Sequence, residues 1–175
     1  GLALVGTFIS QSKVEFKNSF ITNNKLANHP DPLASSLTGG ILVGYTSTFT
    51  LTNIVFQNNT ISGSYTLIYL SSPTFTMQGS QFINNIKALT QESQDDMLIF
   101  ASFGTFSVNT TSFINCSNVF HFISVTALLK EIDFEDMKAV GDSLQLINSY
   151  ISTLTLDKIF ISQDLSSLTE VPRFS

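Results

Sequence analysis

The chain has 175 residues, 43 % of them hydrophobic and only 12 % charged, about half the usual charged share, with a formal net charge of -5. This balance excludes intrinsic disorder, which needs low hydrophobicity and high charge, and it argues against nucleic acid or an anionic membrane as partner. Ser, Thr and Asn supply the polarity, while Phe occurs 16 times and Trp never. No stretch reaches the roughly 18 uninterrupted apolar residues of a membrane-spanning helix, so no such segment is expected in this chain. The length suits one domain with a continuous core.

Taken in chain order, two motifs alternate. The opening "LALVGT" (2–7) is the tail of a short apolar run, and "VEFKNSFITNN" (14–24) surrounds Phe20. "GGILVGY" (39–45) is followed by "FTLTNIVFQNN" (49–59), then "YTLIYLS" (65–71) by "FTMQGSQFINN" (75–85). "DMLIFAS" (96–102) precedes "FSVNTTSFINC" (106–116), and "VFHFISV" (119–125) precedes "ALLKEIDFEDM" (127–137). "SLQLINS" (143–149) and "LTLDKIFISQ" (154–163) complete the series. The shorter runs are apolar, rich in β-branched and aromatic residues and bounded by Ser, Thr, Gly or Asn, which are strand signals. In the segment 126–140 the alternation of Ile132 and Phe134 favours strand over helix.

The longer motif places a phenylalanine anchor at Phe20, Phe56, Phe82, Phe113, Phe134 and Phe160, at intervals of 36, 26, 31, 21 and 26 residues. Short strands at such intervals, with no helix between them, predict an all-β solenoid. Parallel strands ordinarily need helical crossovers; a chain wound around its own core uses the other walls as the return path. The dipeptides Asn-Gly and Asp-Gly, which mark tight hairpins, do not occur, which disfavours a sandwich or barrel. The expectation is a parallel β-helix of about six coils over 1–165, with 166–175 as a tail or partial cap. Stacked coils would file the six anchors into one aromatic column. Three residues further on, Asn23, Asn59 and Asn85 would form an amide ladder at a corner, decaying to Cys116, Met137 and Gln163. Cys116, the single cysteine, reads as a small buried member of that ladder.

The pairing of Phe-any-any-Asn ("FITN" 20–23, "FQNN" 56–59, "FINN" 82–85) with a Gly-Gly-Ile element ("GGIL" 39–42) resembles the repeats of chlamydial polymorphic outer-membrane proteins. It is also similar to the pectin-lyase-like repeats of very large surface proteins of ciliates and other protists. The resemblance implies a right-handed parallel β-helix serving as a passenger, adhesive element or structural shaft at the cell surface. From Phe113 onward the pattern is degenerate.

The chemistry that the sequence offers is sparse. Acceptor sequons for N-glycosylation stand at Asn58, Asn109 and Asn115, consistent with an extracellular or cell-surface location. Pectin-lyase-like folds include polysaccharide lyases and hydrolases, yet Arg173 is the only arginine and the lysines are scattered. Glu131, Asp133 and Glu135 would share the outer face of one strand, with Asp157 beside Glu131 on the next coil, a cluster whose repulsion calcium could relieve. Lys130, Lys138 and Lys158 could do the same, so no metal and no cofactor is expected. Asp95 and Asp96 in "QDD" (94–96) point to opposite faces and do not pair, and His29 lies in a Pro-containing loop. His121 faces outward if Phe120 and Phe122 face inward.

The sequence reading is therefore a non-catalytic scaffold, adhesin or fibre subunit; a carbohydrate-active or carbohydrate-binding β-helix with a site partly outside this segment is the alternative. Gly1 opens inside an apolar run without an initiator Met, as expected of a mature product or an excised segment. Protein partners are expected at the open ends, by end-on stacking or continuation of the coils, and glycans are a possible second class. The intervals 28–40 and 87–96 are expected to protrude as loops.

Overall fold

Strand propensity, period-two burial and regular Asn corners build a parallel β-helix, seen in a computed structural model that describes residues 9–10, 12–26, 39–63, 65–88, 97–139, 144–162 and 173–174. Every strand pairing among them is parallel, and none of the described residues is helical. Residues 28–38, 89–96 and 163–172, which include His29, Asp95, Asp96 and most of the expected tail, lie outside the described residues.

One wall stacks β1 (Ile9–Ser10), β5 (Gly39–Tyr45), β9 (Tyr65–Ser71), β13 (Ile99–Ser102), β15 (Phe120–Ile123), β17 (Gln145–Tyr150) and β19 (Arg173–Phe174) in that order. The second wall is folded along its length. It begins with the pairs β2 (Lys13–Lys17) and β3 (Phe20–Thr22), β6 (Thr48–Thr52) and β7 (Val55–Gln57), and β10 (Thr74–Gln78) and β11 (Gln81–Ile83). It continues as the single bent strands β14 (Thr105–Ile114), β16 (Thr126–Glu135) and β18 (Thr153–Ser162). A short third wall stacks β4 (Lys25–Leu26), β8 (Thr60–Ser62) and β12 (Ile86–Ala88). The segment expected as strand rather than helix is β16.

Each coil turns through single residues in the left-handed region. One corner file is Thr46, Ser72, Phe103, Ser124 and Ile151; a second is Asn18, Asn53, Gly79, Thr110, Glu131 and Lys158; a third is Asn23, Asn58, Asn84, Asn115 and Asp136. Asn dominates the third file because its short amide tolerates positive φ. The bend does not interrupt the ladder: the Asn23 N–H still donates to the Gln57 carbonyl (2.9 Å) and the Asn58 N–H to Ile83 (3.0 Å). The residue after a corner turns inward, and where it carries a hydroxyl it donates back across the bend. Ser47 Oγ reaches the Tyr45 carbonyl (2.8 Å), and Thr111 Oγ1 reaches that of Asn109 (3.1 Å).

These corners set the phase of the aromatic column. Phe56, Phe82, Phe113 and Phe134 pair in register, are fully buried, and stack with centroids 4.5, 4.6 and 5.4 Å apart. Phe20 and Phe160 do not belong to it. Ile21 pairs with Phe56 and Ile161 with Phe134, leaving Phe20 75 % and Phe160 58 % exposed. The cause is the distance from the second corner. Phe56 is the third residue after Asn53 and points in; Phe20 and Phe160 are the second after Asn18 and Lys158 and point out. True coil lengths at the two ends are accordingly 35 and 27 residues. A second internal column, Phe49, Phe75 and Phe106, lies one strand segment earlier, with Phe75 and Phe106 stacked at 4.5 Å. Phe120 meets Phe113 edge-on at 5.3 Å, joining the two main walls through the core.

Candidate functional site

Two amide ladders run side by side up the third corner. The inner one contains Asn24, Asn59, Asn85 and Cys116. Asn24 Nδ2 donates to Asn59 Oδ1 (2.9 Å) and Asn59 Nδ2 to Asn85 Oδ1 (2.8 Å), while Asn59 Nδ2 also reaches back to the Ile21 carbonyl (2.9 Å). Asn59 and Asn85 are fully buried, so each amide satisfies backbone that water cannot reach. Cys116 takes the next rung, with Sγ 3.5 Å from the Asn85 N–H and 3.4 Å from the Phe82 carbonyl. Burial pushes its thiol up to about 11, with the Asn85 contacts opposing that rise. The expected ladder thus has the right Asn59 and Asn85 but the wrong first member. Asn24 occupies that rung, and Asn23, a corner residue, belongs to the outer file.

The outer file is solvent-facing and includes two of the three sequon asparagines. Asn58 Nδ2 donates to Asn23 Oδ1 (3.3 Å), Asn84 Nδ2 to Asn58 Oδ1 (3.1 Å), and Asn115 Nδ2 to Asn84 Oδ1 (2.6 Å). Asn109 stands apart on the second wall, between Gln78 and Lys130, with its Oδ1 3.2 Å from Thr110 Oγ1.

The acidic cluster is rearranged by the second corner. Glu131 is itself the corner residue (φ 53°), so it leaves the face that carries Asp133. Its counterpart on the next coil is Lys158, not Asp157; Asp157 pairs with Lys130, Asp133 with Phe160, and Glu135 with Ser162. Lys158 Nζ lies 3.1 Å from Glu131 Oε1, and Thr110 Oγ1 donates to Glu131 Oε2 (3.2 Å). The Lys158 bond, then the Thr110 hydroxyl, hold the Glu131 carboxyl below its ordinary range. The repulsion that calcium would relieve is therefore replaced by alternating charge. Among the described residues no three Asp, Glu, His or Cys side chains converge on a possible metal position.

Sequence reasoning passed over one feature. Lys87 is buried in the third wall, its Nζ donating to the carbonyls of Gly63 (2.7 Å) and Tyr65, while its backbone N–H donates to Ser117 Oγ (2.7 Å). Nothing in the pattern of scattered lysines marks it out, because Lys87 shares its register position with Ile61 and Leu26. On the first wall, an aromatic file combines Tyr69 stacked on Phe100 (5.0 Å), His121 edge-on to Phe100 (5.4 Å) and Tyr45 beside Tyr69 (6.1 Å). Phe120 and Phe122 face the core, so His121 takes the other face.

Among the described residues, no strand pairs with the outer edge of β2–β3 or with that of β18. At the first coil, Phe16, Ile21, Leu42, Leu51, Ile54 and Phe56 line a cavity of about 300 Å³. At the last coil, the inward side of β18 leaves Leu156 45 % and Ile161 42 % exposed.

In comparison with known proteins, no family model matches the chain, and no curated protein matches it either.

Proposed function

We propose that this chain is a non-catalytic β-helical scaffold of the cell surface or extracellular space, acting as a shaft, adhesin or fibre subunit. The observation that carries the reading is the repetition of its outer wall. Thr48, Thr74, Thr105, Thr126 and Thr153 stand in one file, and Asn23, Asn58, Asn84 and Asn115 in another. A surface that repeats one residue type up its height offers many equivalent weak contacts, which suits lateral adhesion and rigidity better than a unique reactive centre. The sequons at Asn58, Asn109 and Asn115 and the resemblance to surface repeats support the location. Labelling of intact, unpermeabilised cells with an antibody to this chain, with mass spectrometry of the three asparagines, tests it. Surface labelling with at least one occupied sequon supports the reading; labelling only after permeabilisation overturns it.

A second reading, carbohydrate binding or cleavage, is favoured by Tyr45 and Tyr69, half-buried neighbours on the first wall, since flat rings suit sugar faces. Retention on immobilised acidic polysaccharide that Tyr69→Ala abolishes would favour binding. Release of unsaturated or reducing sugar ends would make the chain an enzyme.

A further inference from the structure

The geometry points to a second copy of this chain as the partner of the open end: the first coil of one molecule continues the last coil of another, head to tail and in register. The inference rests on the scaffold reading only in giving the assembly a purpose; its physical basis is the match between β2–β3 and β18.

Because every coil pairs residue for residue, the position of each first-coil residue over the last coil is fixed by the intervening registers. Lys17 pairs with Thr52, which leads through Gln78, Asn109 and Lys130 to Asp157. An added copy therefore sets Lys17 over Asp157, opposite charges on adjacent strands. Phe20 leads through Val55, Gln81, Ser112 and Asp133 to Phe160. These are the two aromatics that the corner phase turned outward, each more than half exposed, and stacking places one upon the other. On the inner side Val14, Phe16 and Ile21 fall over Leu154, Leu156 and Ile161, so the half-open core of one end is covered by that of the other. Lys13 meets Thr153, Glu15 meets Thr155 and Asn18 meets Lys158, so no like charges face each other along β2–β3 and β18.

On the first wall, whose last-coil edge carries β19, the described residues of β1 and β19 do not overlap in that register. β19 pairs with Gln145 and Ile147 of β17, whereas the β1 file runs through Gly44, Leu70, Ala101 and Phe122 to Ser149. The two terminal strands thus occupy different stretches of the added layer. Open parallel edges pair readily when side chains match, and both edges here belong to one chain, so the contact is heterologous and propagates as a filament.

Sedimentation velocity across a concentration series tests the inference on four proteins: the parent chain, K17D, D157K and the double variant. The parent is expected to form linear oligomers with rising concentration. Each single reversal places like charges face to face and raises the concentration for half-association about tenfold; the double variant restores the attraction to within about threefold of the parent. A parent that stays monomeric at its highest soluble concentration, or four proteins that associate alike, overturns the inference. Register is read separately by oxidising F20C/F160C. Adjacent strands lie ~4.8 Å apart, within disulfide reach, whereas the two positions in one molecule are separated by five coil spacings, roughly 24 Å. A ladder of covalent multimers with this pair and none with F20C/T155C supports the register; no ladder, or equal ladders, overturns it. Monomeric protein on cells that label at the surface removes the stacking and leaves the scaffold reading. Stacking protein confined to the cell interior removes the scaffold reading alone.

Discussion

Asn59 and Asn85 lie one coil apart and share a 2.8 Å amide-to-amide hydrogen bond inside the core, while their sequence neighbours Asn58 and Asn84 share a 3.1 Å bond on the surface. The two pairs have the same composition and opposite energetic standing. Removing the inner amide by Asn59→Ala strands the Asn24 N–H and the Ile21 carbonyl, at a cost of about 2–4 kcal/mol. Asn58→Gly loses two solvated bonds, to Asn23 and Asn84, but relieves the left-handed backbone (φ 55°), and is expected to stay within about 0.5 kcal/mol of the parent. Urea denaturation midpoints of both variants check the contrast; equal losses would contradict the inner and outer assignment.

The aromatic column makes a similar distinction. Phe82 is fully buried between Phe56 and Phe113, so Phe82→Ala should cost about 3–5 kcal/mol. Phe20, which carries the same anchor role in the sequence pattern, should cost less than about 1 kcal/mol in the dilute monomer, because its ring already meets water. Thermal melts at low concentration separate the two.

Cys116 gives the fold an alkaline weakness. Its thiol is neutral in both states at pH 7; above its ordinary value near 8.5 the unfolded chain ionises while burial holds the folded thiol up to about 11. Stability from this group is therefore complete below about pH 8.5 and lost as pH rises towards 11. Cys116→Ala should flatten that part of the stability profile relative to the parent. Thiol reagents at pH 8 should label the parent only after unfolding, since the side chain is fully buried.

Gly104 sits where the first corner file closes over Pro73. A Cβ there would lie 2.2 Å from the Pro73 carbonyl oxygen and 2.5 Å from its ring, so backbone must move to admit it. Gly104→Ala is expected to cost about 2–4 kcal/mol, comparable with deletion of a core methyl cluster. A melting temperature within about 2 °C of the parent would show that the corner adapts.

Much of this was legible before any coordinates. A strand within 126–140, another around 154–163, the parallel winding, the four central phenylalanines and the pair Asn59 and Asn85 all follow from a repeated pattern, because stacked coils reuse whatever residue stacks well on itself. What the pattern could not resolve was phase at the ends. "FITNN" and "FQNN" look alike, yet the first holds its phenylalanine two residues after a corner and the second three. In a strand one residue decides which face a side chain takes, and the corners are single left-handed residues with no unique signature: Phe103, Glu131, Ile151 and Lys158 serve as well as Asn. Glu131 was thereby separated from Asp133 and Glu135 and matched with Lys158, an outcome fixed by the hydrogen-bonded register of β16 against β18 and by nothing local. The sequence alone determined that this chain winds and which residue types line its core. Only the tertiary structure decided which of them face water, because that depends on where each coil bends, and the bends are held by bonds to the neighbouring coils.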